Sequence, residues 1–288
     1  MKSHVSKYDH TEEEKMKKRT LLGLMTAVLV CCTMMLAGCG SQTASDGSWK
    51  YVKDNGELIV GLDDTFAPMG FKDNNGKIVG FDVDMAKAVC KELGIKATFK
   101  PINWDSKEMS LKSKDIDCIW NGLSATKERQ EKMSLSKKYL NNKIIIMSLK
   151  KSVNVKTNSD LENVKIGTQK DSSALEAIKK DSLYDKFKDN ITEYDSYDDA
   201  LLDMKAGRLD VIAVDQVLGN YKNQKMNGKL YTSDYNFGSD YYAIGFRKDD
   251  KELTNKVNDA LQTLIDDGTA AKISKKWFGK DIVILEDY

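Results

Sequence analysis

The chain has 288 residues, 41% of them apolar and 31% charged, with 45 Lys and Arg against 44 Asp and Glu. That balance belongs to a folded globular chain rather than a disordered one, and a net charge of +1 lacks the basic excess of a nucleic-acid binder. The only two histidines, His4 and His10, lie at the extreme N-terminus.

Lys15, Lys17, Lys18 and Arg19 precede an apolar run from Leu21 to Leu36, which closes on Leu36-Ala37-Gly38-Cys39. A basic start, an apolar middle and small residues at the cleavage point make a secretory signal. At about 16 residues the run falls short of the roughly 20 that a membrane span needs. It resembles a bacterial lipobox, in which Cys39 becomes an acylated N-terminus and several acyl chains together give stable anchoring. Asp9, Glu12, Glu13 and Glu14 put acid where a basic start belongs, so translation is expected from Met16. Residues 1–38 are read as a lipoprotein signal peptide. Residues 39–48, small and polar after Cys39, are read as a flexible tether.

Removing residues 1–38 leaves 250, with 39 basic and 40 acidic side chains and no histidine. This is enough chain for one large domain or two lobes. It excludes Ser-His-Asp and Cys-His nucleophile systems and every histidine-ligated zinc site. Cys90 and Cys118 remain, either as one disulfide or as two buried thiols. They are too few for a structural metal site, and no cofactor is expected.

From Leu58 short apolar runs alternate with amphipathic stretches. Leu58 to Leu62 and Ile78 to Phe81 read as strands separated by the turn Asp73-Asn74-Asn75-Gly76. Asp82 precedes Met85, Val89 and Leu93 at four-residue spacing, with Gly94 at the C-cap position, which predicts a helix. A strand near Ala97 to Ile102, a helix near Glu108 to Lys112 and a strand at Ile116 to Asn121 follow. The order then restarts with strand Val164 to Thr168, helix Ser173 to Lys180, strand Ile191 to Tyr194, helix Asp198 to Ala206 and strand Val211 to Val214. This second unit reads as a second lobe, with Lys143 to Leu149 leading into it and Tyr241 to Phe246 leading out. Helices from Glu252 to Asp266 and Ala270 to Phe278 end the chain. Such alternation predicts an α/β fold with a parallel-rich sheet.

Ligands of open α/β sheets sit at the carboxyl ends of the strands. Those ends carry Asp63 to Phe66, Asn103 to Asp105, Asn121 to Arg129, Gln169 to Ser173, and Asp215. Arg129 offers a planar fork to a carboxylate. Ser172-Ser173-Ala174-Leu175-Glu176 has the Ser-x-x-Glu form of a capping box, whose helix-start amides can receive an anion. Asp215, after an apolar strand, can pair with an ammonium, with Ser124 and the Gly122 carbonyl as further acceptors. Phe66 and Trp104 supply flat apolar walls, unless they belong to the core. An anion clamp, a cation clamp and aromatic walls together describe a site for a free α-amino acid.

Three segments carry a family resemblance: Gly61-Leu62-Asp63-Asp64-Thr65-Phe66-Ala67-Pro68, Val79-Gly80-Phe81-Asp82-Val83-Asp84-Met85-Ala86-Lys87-Ala88, and Gly122-Leu123-Ser124-Ala125-Thr126-Lys127-Glu128-Arg129. Asp195 to Asp215 and Asp267 to Gly279 extend it. Over Leu58 to Gly279 the chain resembles family 3 bacterial solute-binding proteins, the extracytoplasmic receptors of polar amino-acid ABC importers. The resemblance implies a two-lobed periplasmic-binding-protein-like fold of type II, each lobe a mixed sheet flanked by helices, joined by a two-strand hinge. Lobe 1 is then residues 49–143 with 241–288, and lobe 2 is residues 144–240. It implies a monomeric, non-enzymatic receptor that delivers its amino acid to an ABC permease, held by the Cys39 lipid on the outer face of a cell membrane, with a Gram-positive surface favoured. Arg129 and the amides of Gln169 to Ser173 are expected on the ligand carboxylate. Ser124, Gly122 and Asp215 are expected on the ammonium, with Phe66 stacked on the ligand and Asp63, Trp104 and Asn121 around its side chain.

Departures from the family concern the pocket. Asp171 and Ser172 replace a usual Gly-Thr, so Asp171 must point away from the ligand carboxylate or pair with Lys170. Met69-Gly70 replaces Phe-Glu, and Trp120-Asn121 replaces smaller residues, so Trp120 is expected as a second tryptophan wall. Asp63 and Asp82 near a side-chain pocket suit arginine, lysine or glutamine, and a roomy pocket between Trp104 and Trp120 suits cystine. Two alternatives are an enzyme on the same scaffold, dehydratase-like or lyase-like with carboxylate acid–base chemistry, and a sensing lipoprotein without an importer.

Overall fold

The computed structural model describes residues 45–288, and the signal segment, Cys39 and most of the tether lie outside the described residues. The elements run α1 (Ser48–Asn55), β1 (Glu57–Leu62), the short strands β2 (Thr65–Phe66), β3 (Gly70–Lys72) and β4 (Ile78–Val79), α2 (Phe81–Glu92), β5 (Lys96–Pro101), α3 (Lys107–Lys112), β6 (Cys118–Ser124), α4 (Lys127–Lys132), β7 (Ser134–Leu135) and β8 (Lys138–Ser148). They continue through β9 (Ile166–Gln169), α5 (Ser173–Lys179), α6 (Tyr184–Phe187), β10 (Ile191–Tyr194), α7 (Tyr197–Lys205), β11 (Val211–Asp215), α8 (Gln216–Lys225), β12 (Tyr231–Phe246), α9 (Lys251–Asp266), α10 (Thr269–Phe278) and β13 (Val283–Glu286).

The main sheet has strand order β10-β9-β11-β8-β12-β6-β1-β5, with β13 on β8 and β7 on β12. Its flanks are parallel: β1 with β5 and β6 on one side, β9 with β10 and β11 on the other. Between them the antiparallel pair β8 and β12, 11 and 16 residues long, passes from one flank to the other. The sheet is thus mixed, and two long strands join its two α/β halves. Every residue of β6 and β11 is buried, as expected of strands covered on both faces. Covering helices follow from apolar periodicity. In α9, Leu253, Val257, Ala260, Leu261 and Leu264 form one buried face, and in α2 the face is Phe81, Met85, Ala86, Val89 and Cys90.

Cys90 and Cys118 are free thiols buried in the core, so the thiol alternative holds and the disulfide does not. Burial pushes the Cys90 thiol up to about 12, in keeping with a small hydrophobe. Structure begins before Trp49. Asp46 accepts hydrogen bonds from the Ser48 and Glu252 amides, and Ser48 Oγ accepts from the Leu253 amide at 3.0 Å. These two residues, assigned to the tether by composition, satisfy amides at the start of α9 instead. Helices α1 and α8 were not anticipated, and β12 starts ten residues before Tyr241.

Candidate functional site

Strand ends from both halves of the sheet meet beside the two long strands. Asp63, just past β1, sends Oδ1 to the Thr65 amide and hydroxyl, at 2.9 and 2.6 Å, and accepts from Gln169 Nε2 on Oδ2 at 2.7 Å. Gln169 ends β9, so this bond ties one half to the other. Asn121 lies behind Asp63: its Oδ1 accepts from the Asp63 amide at 3.0 Å, and its Nδ2 donates to the Gly70 carbonyl. Its contacts therefore position Asp63.

Gly122 has φ +60°, and a Cβ there would lie 2.8 Å from the Phe66 ring. Only glycine allows this backbone conformation and the ring's approach without strain. Phe66 in turn meets Tyr197 of α7 with ring centroids 6.1 Å apart, an aromatic contact across the two halves. The Gly122 amide donates to Asp82 Oδ2 at 2.7 Å, and the Tyr139 hydroxyl reaches both Asp82 oxygens at 2.9 Å. Burial pushes the Asp82 carboxyl up to about 7, offset in part by these donors. Asp82 thus buttresses the Gly122 backbone from inside the core, and its expected place at a side-chain pocket is corrected.

Arg129 is buried on α4, where Nη1 donates to the Ser124 carbonyl at 3.0 Å and Nη2 to the Asp171 carbonyl at 3.3 Å. Ser124 Oγ lies 2.8 Å from Ser173 Oγ and donates to Asp240 Oδ2 at 2.5 Å. Ser172 is the N-cap of α5, accepting from the Leu175 amide at 3.1 Å and donating to the Gln169 carbonyl at 2.7 Å. Asp171 has φ +50° and pairs with Lys107 of α3 on the other half of the sheet, while Lys170 pairs with Asp195 at 2.7 Å. Of the two alternatives for Asp171, pairing with Lys170 is not seen; its carboxylate turns to Lys107 instead. Burial, with Arg129 beside it, pulls the Lys107 ammonium down to about 8.

Asp215 closes β11. Its Oδ1 accepts from Asn142 Nδ2 at 2.7 Å and from the Tyr242 hydroxyl at 2.8 Å. Burial, with the Asp240 charge next in importance, pushes its carboxyl up to about 7. Trp104 is buried with Lys107 Nζ 5.0 Å from its ring centroid. It borders a cavity of about 620 Å³ that also exposes Asp63, Asp64, Asp105, Asp195, Asp198, Asp199 and Lys170. Trp120 is not at this wall: it packs in the core against Tyr139 at 6.4 Å. A larger cavity of about 800 Å³ opens between α8 and α10, beside Tyr221, Lys276 and Trp277, and includes none of the expected ligand residues.

Sequence reasoning missed Asn142 and Asp240, which face each other across the two long strands. Their signal was weak, because the alternation of Tyr231, Tyr235 and Phe237 with polar residues is broken by Gly238-Ser239-Asp240 before Tyr241.

Residues 58–280 match the family described as bacterial extracellular solute-binding proteins, family 3. The chain belongs to this family. It is 31% identical over 267 residues to the L-cystine-binding protein TcyJ of Escherichia coli, covering 92% of this chain and 97% of that one. It is also 31% identical over 257 residues to the arginine-binding extracellular protein ArtP of Bacillus subtilis, covering 88% and 97%. A solved ABC uptake transporter substrate binding protein from Streptococcus pneumoniae with bound histidine superimposes at TM-score 0.74, with 34% identity over 83% of this chain and 98% of that one. Membership accounts for the two-lobed α/β architecture. Among the described residues no helix is long and apolar enough to cross a membrane.

Proposed function

We propose that this family 3 protein is an extracytoplasmic receptor that closes its two lobes on one free polar α-amino acid and delivers it to an ABC permease. The observation that carries the reading is the convergence of Arg129 and the 169–173 segment with Ser124 and Asp215, an anion clamp and a cation clamp contributed by both halves of the sheet. Arg129 and the loop amides grip the carboxylate; Ser124, the Gly122 carbonyl and Asp215 hold the ammonium; Phe66 stacks on the ligand. Asp63 and Trp104 border its side chain, with Gln169 and Asn121 holding Asp63 in place. The lobes are read as residues 46–143 with 241–288 and residues 144–240, a division supported by β8 pairing with β13 at one end and β11 at the other and by the bonds of Asp46 and Ser48 to α9.

Around the cavity beside Asp63, Asp64, Asp195 and Asp198 pair with Lys72, Lys170 and Lys222, and the aspartates outside these salt bridges, Asp63, Asp105 and Asp199, support a ligand whose far end carries a positive nitrogen. Arginine, lysine and cystine, with its second ammonium, satisfy this; glutamine does not. No catalytic step is needed, because ammonium pairing is a sufficient role for Asp215. The protein acts as a monomer held by a Cys39 lipid at the outer face of the membrane of a Gram-positive cell. Mass spectrometry of the mature N-terminus is expected to show diacylated Cys39, and an intact upstream segment would refute the anchor.

A thermal-shift panel of the twenty amino acids and cystine tests the receptor. Ligand at about 100 times its Kd adds about 2.7 kcal/mol, a rise of roughly 5–10 °C for a unit of this size. Arginine, lysine or cystine is expected to give it. A melting temperature unmoved by every amino acid would overturn the receptor reading.

A further inference from the structure

Asp215 has a carboxylate neighbour that the family resemblance did not supply. Asp240 lies on β12 directly opposite Asn142 of β8, and Asn142 Nδ2 donates to Asp215 Oδ1 at 2.7 Å and to Asp240 Oδ2 at 2.9 Å. The orientation of this amide is set from its other end, where Asn142 Oδ1 accepts from the Val217 amide at 3.4 Å in the first turn of α8. Ser124 Oγ, already placed beside the ligand, donates to Asp240. The four side-chain donor contacts fall on one oxygen of each acid, Asp215 Oδ1 and Asp240 Oδ2, with the Tyr241 amide a further donor to Asp240, and among the described residues no side chain donates to the other two oxygens.

We infer that Asp240 is a second anionic partner for the ligand, forming with Asp215 a two-carboxylate seat, bridged by Asn142, that accepts one ammonium and releases one proton in doing so. The inference rests on the receptor reading above. Two adjacent acids, Asp215 buried and Asp240 half-buried, disfavour double ionisation, so without a cation the pair retains a proton. Burial first and mutual repulsion next push Asp215 up to about 7, and burial raises Asp240. The groups facing the pair are Arg129 of α4, whose charge favours ionisation, Tyr242 of β12, and Tyr197 of α7, with Tyr139 of β8 behind Tyr242; burial keeps all three phenols protonated. An arriving ammonium donates N–H bonds to both acids, and the displaced proton passes to the buffer. Because the ligand-free carboxyls are raised and the bound form is ionised, affinity is highest above about pH 7. Below that it falls by up to tenfold per pH unit.

Calorimetry with L-arginine, L-lysine and L-cystine, each in two pH 6 buffers of different ionisation enthalpy, counts the protons released. The binding amino acid is expected to release about half a proton or more. In Asp240→Asn the release should shrink, since burial still raises Asp215 but the repulsion from Asp240 is gone, and affinity should drop roughly tenfold or more at pH 8 and by less at pH 5.5. That pH-dependent gap is not expected from a merely structural role. Binding by the unaltered protein without proton release between pH 5.5 and 7 overturns the proposal whether or not the variant folds, as does a folded Asp240→Asn with unchanged affinity at pH 8. If the unaltered protein binds none of the twenty amino acids or cystine, the receptor reading itself has failed.

Discussion

Gly122 and Arg129 make opposite kinds of demand on their surroundings. At Gly122 a methyl group would sit 2.8 Å from the Phe66 ring on a backbone at φ +60°. Gly122→Ala is therefore expected to cost about 2 kcal/mol of stability through overpacking and backbone strain, read as a lower denaturation midpoint with an unchanged slope. Arg129→Ala leaves a ligand carboxylate buried without its charged donor. A loss of about 3 kcal/mol, more than a hundredfold in Kd, is expected, and calorimetric binding at normal affinity would refute the carboxylate assignment. Arg129, Ser124 and Asp215 could be singled out from the sequence because each follows or ends an apolar strand, and the structure brings them together beside the long strands. Asp82 was misread because its number of intervening residues says nothing of direction: its carboxylate turns inward to the Gly122 amide and Tyr139. Asp240 was invisible because its partner, Asn142, is about a hundred positions away and only strand pairing brings them together.

Between elements, the bridge from Lys107 of α3 to Asp171 ahead of α5 ties the lobes at the cleft edge. The Lys107 side chain is 1% exposed and that of Asp171 55%, so the pair is worth about 1 kcal/mol at most. Asp171→Asn keeps a residue that tolerates the left-handed backbone and removes the charge. It is expected to speed ligand dissociation about fivefold in stopped-flow fluorescence; unchanged kinetics would show that the bridge does not favour closure. Since burial lowers Lys107 to about 8, the charged bridge is present below that pH and is lost as pH rises through it. The elements themselves were mostly legible where apolar periodicity was strong, as in α2 and α9, and strand Ile191 to Tyr194 was read to the residue. Helix α8 was not, because only Leu218 and Gly219 of its ten residues are buried. Its polar face gives periodicity nothing to detect.

At the scale of the whole molecule, the fold follows from the α/β alternation, and the two-strand connection follows from family membership. If the ligand draws the lobes together, small-angle scattering of ligand-stripped protein should show a radius of gyration that falls on addition of the bound amino acid. The most direct test of the central claim is calorimetry on protein unfolded and refolded to remove bound ligand. Titration uses L-arginine, L-lysine and L-cystine beside agmatine, cadaverine and cystamine, which lack the carboxylates. One amino acid is expected to bind one to one, and its decarboxylated counterpart at least about a hundredfold more weakly. No heat with any amino acid, or equal affinity for the counterpart, would contradict it.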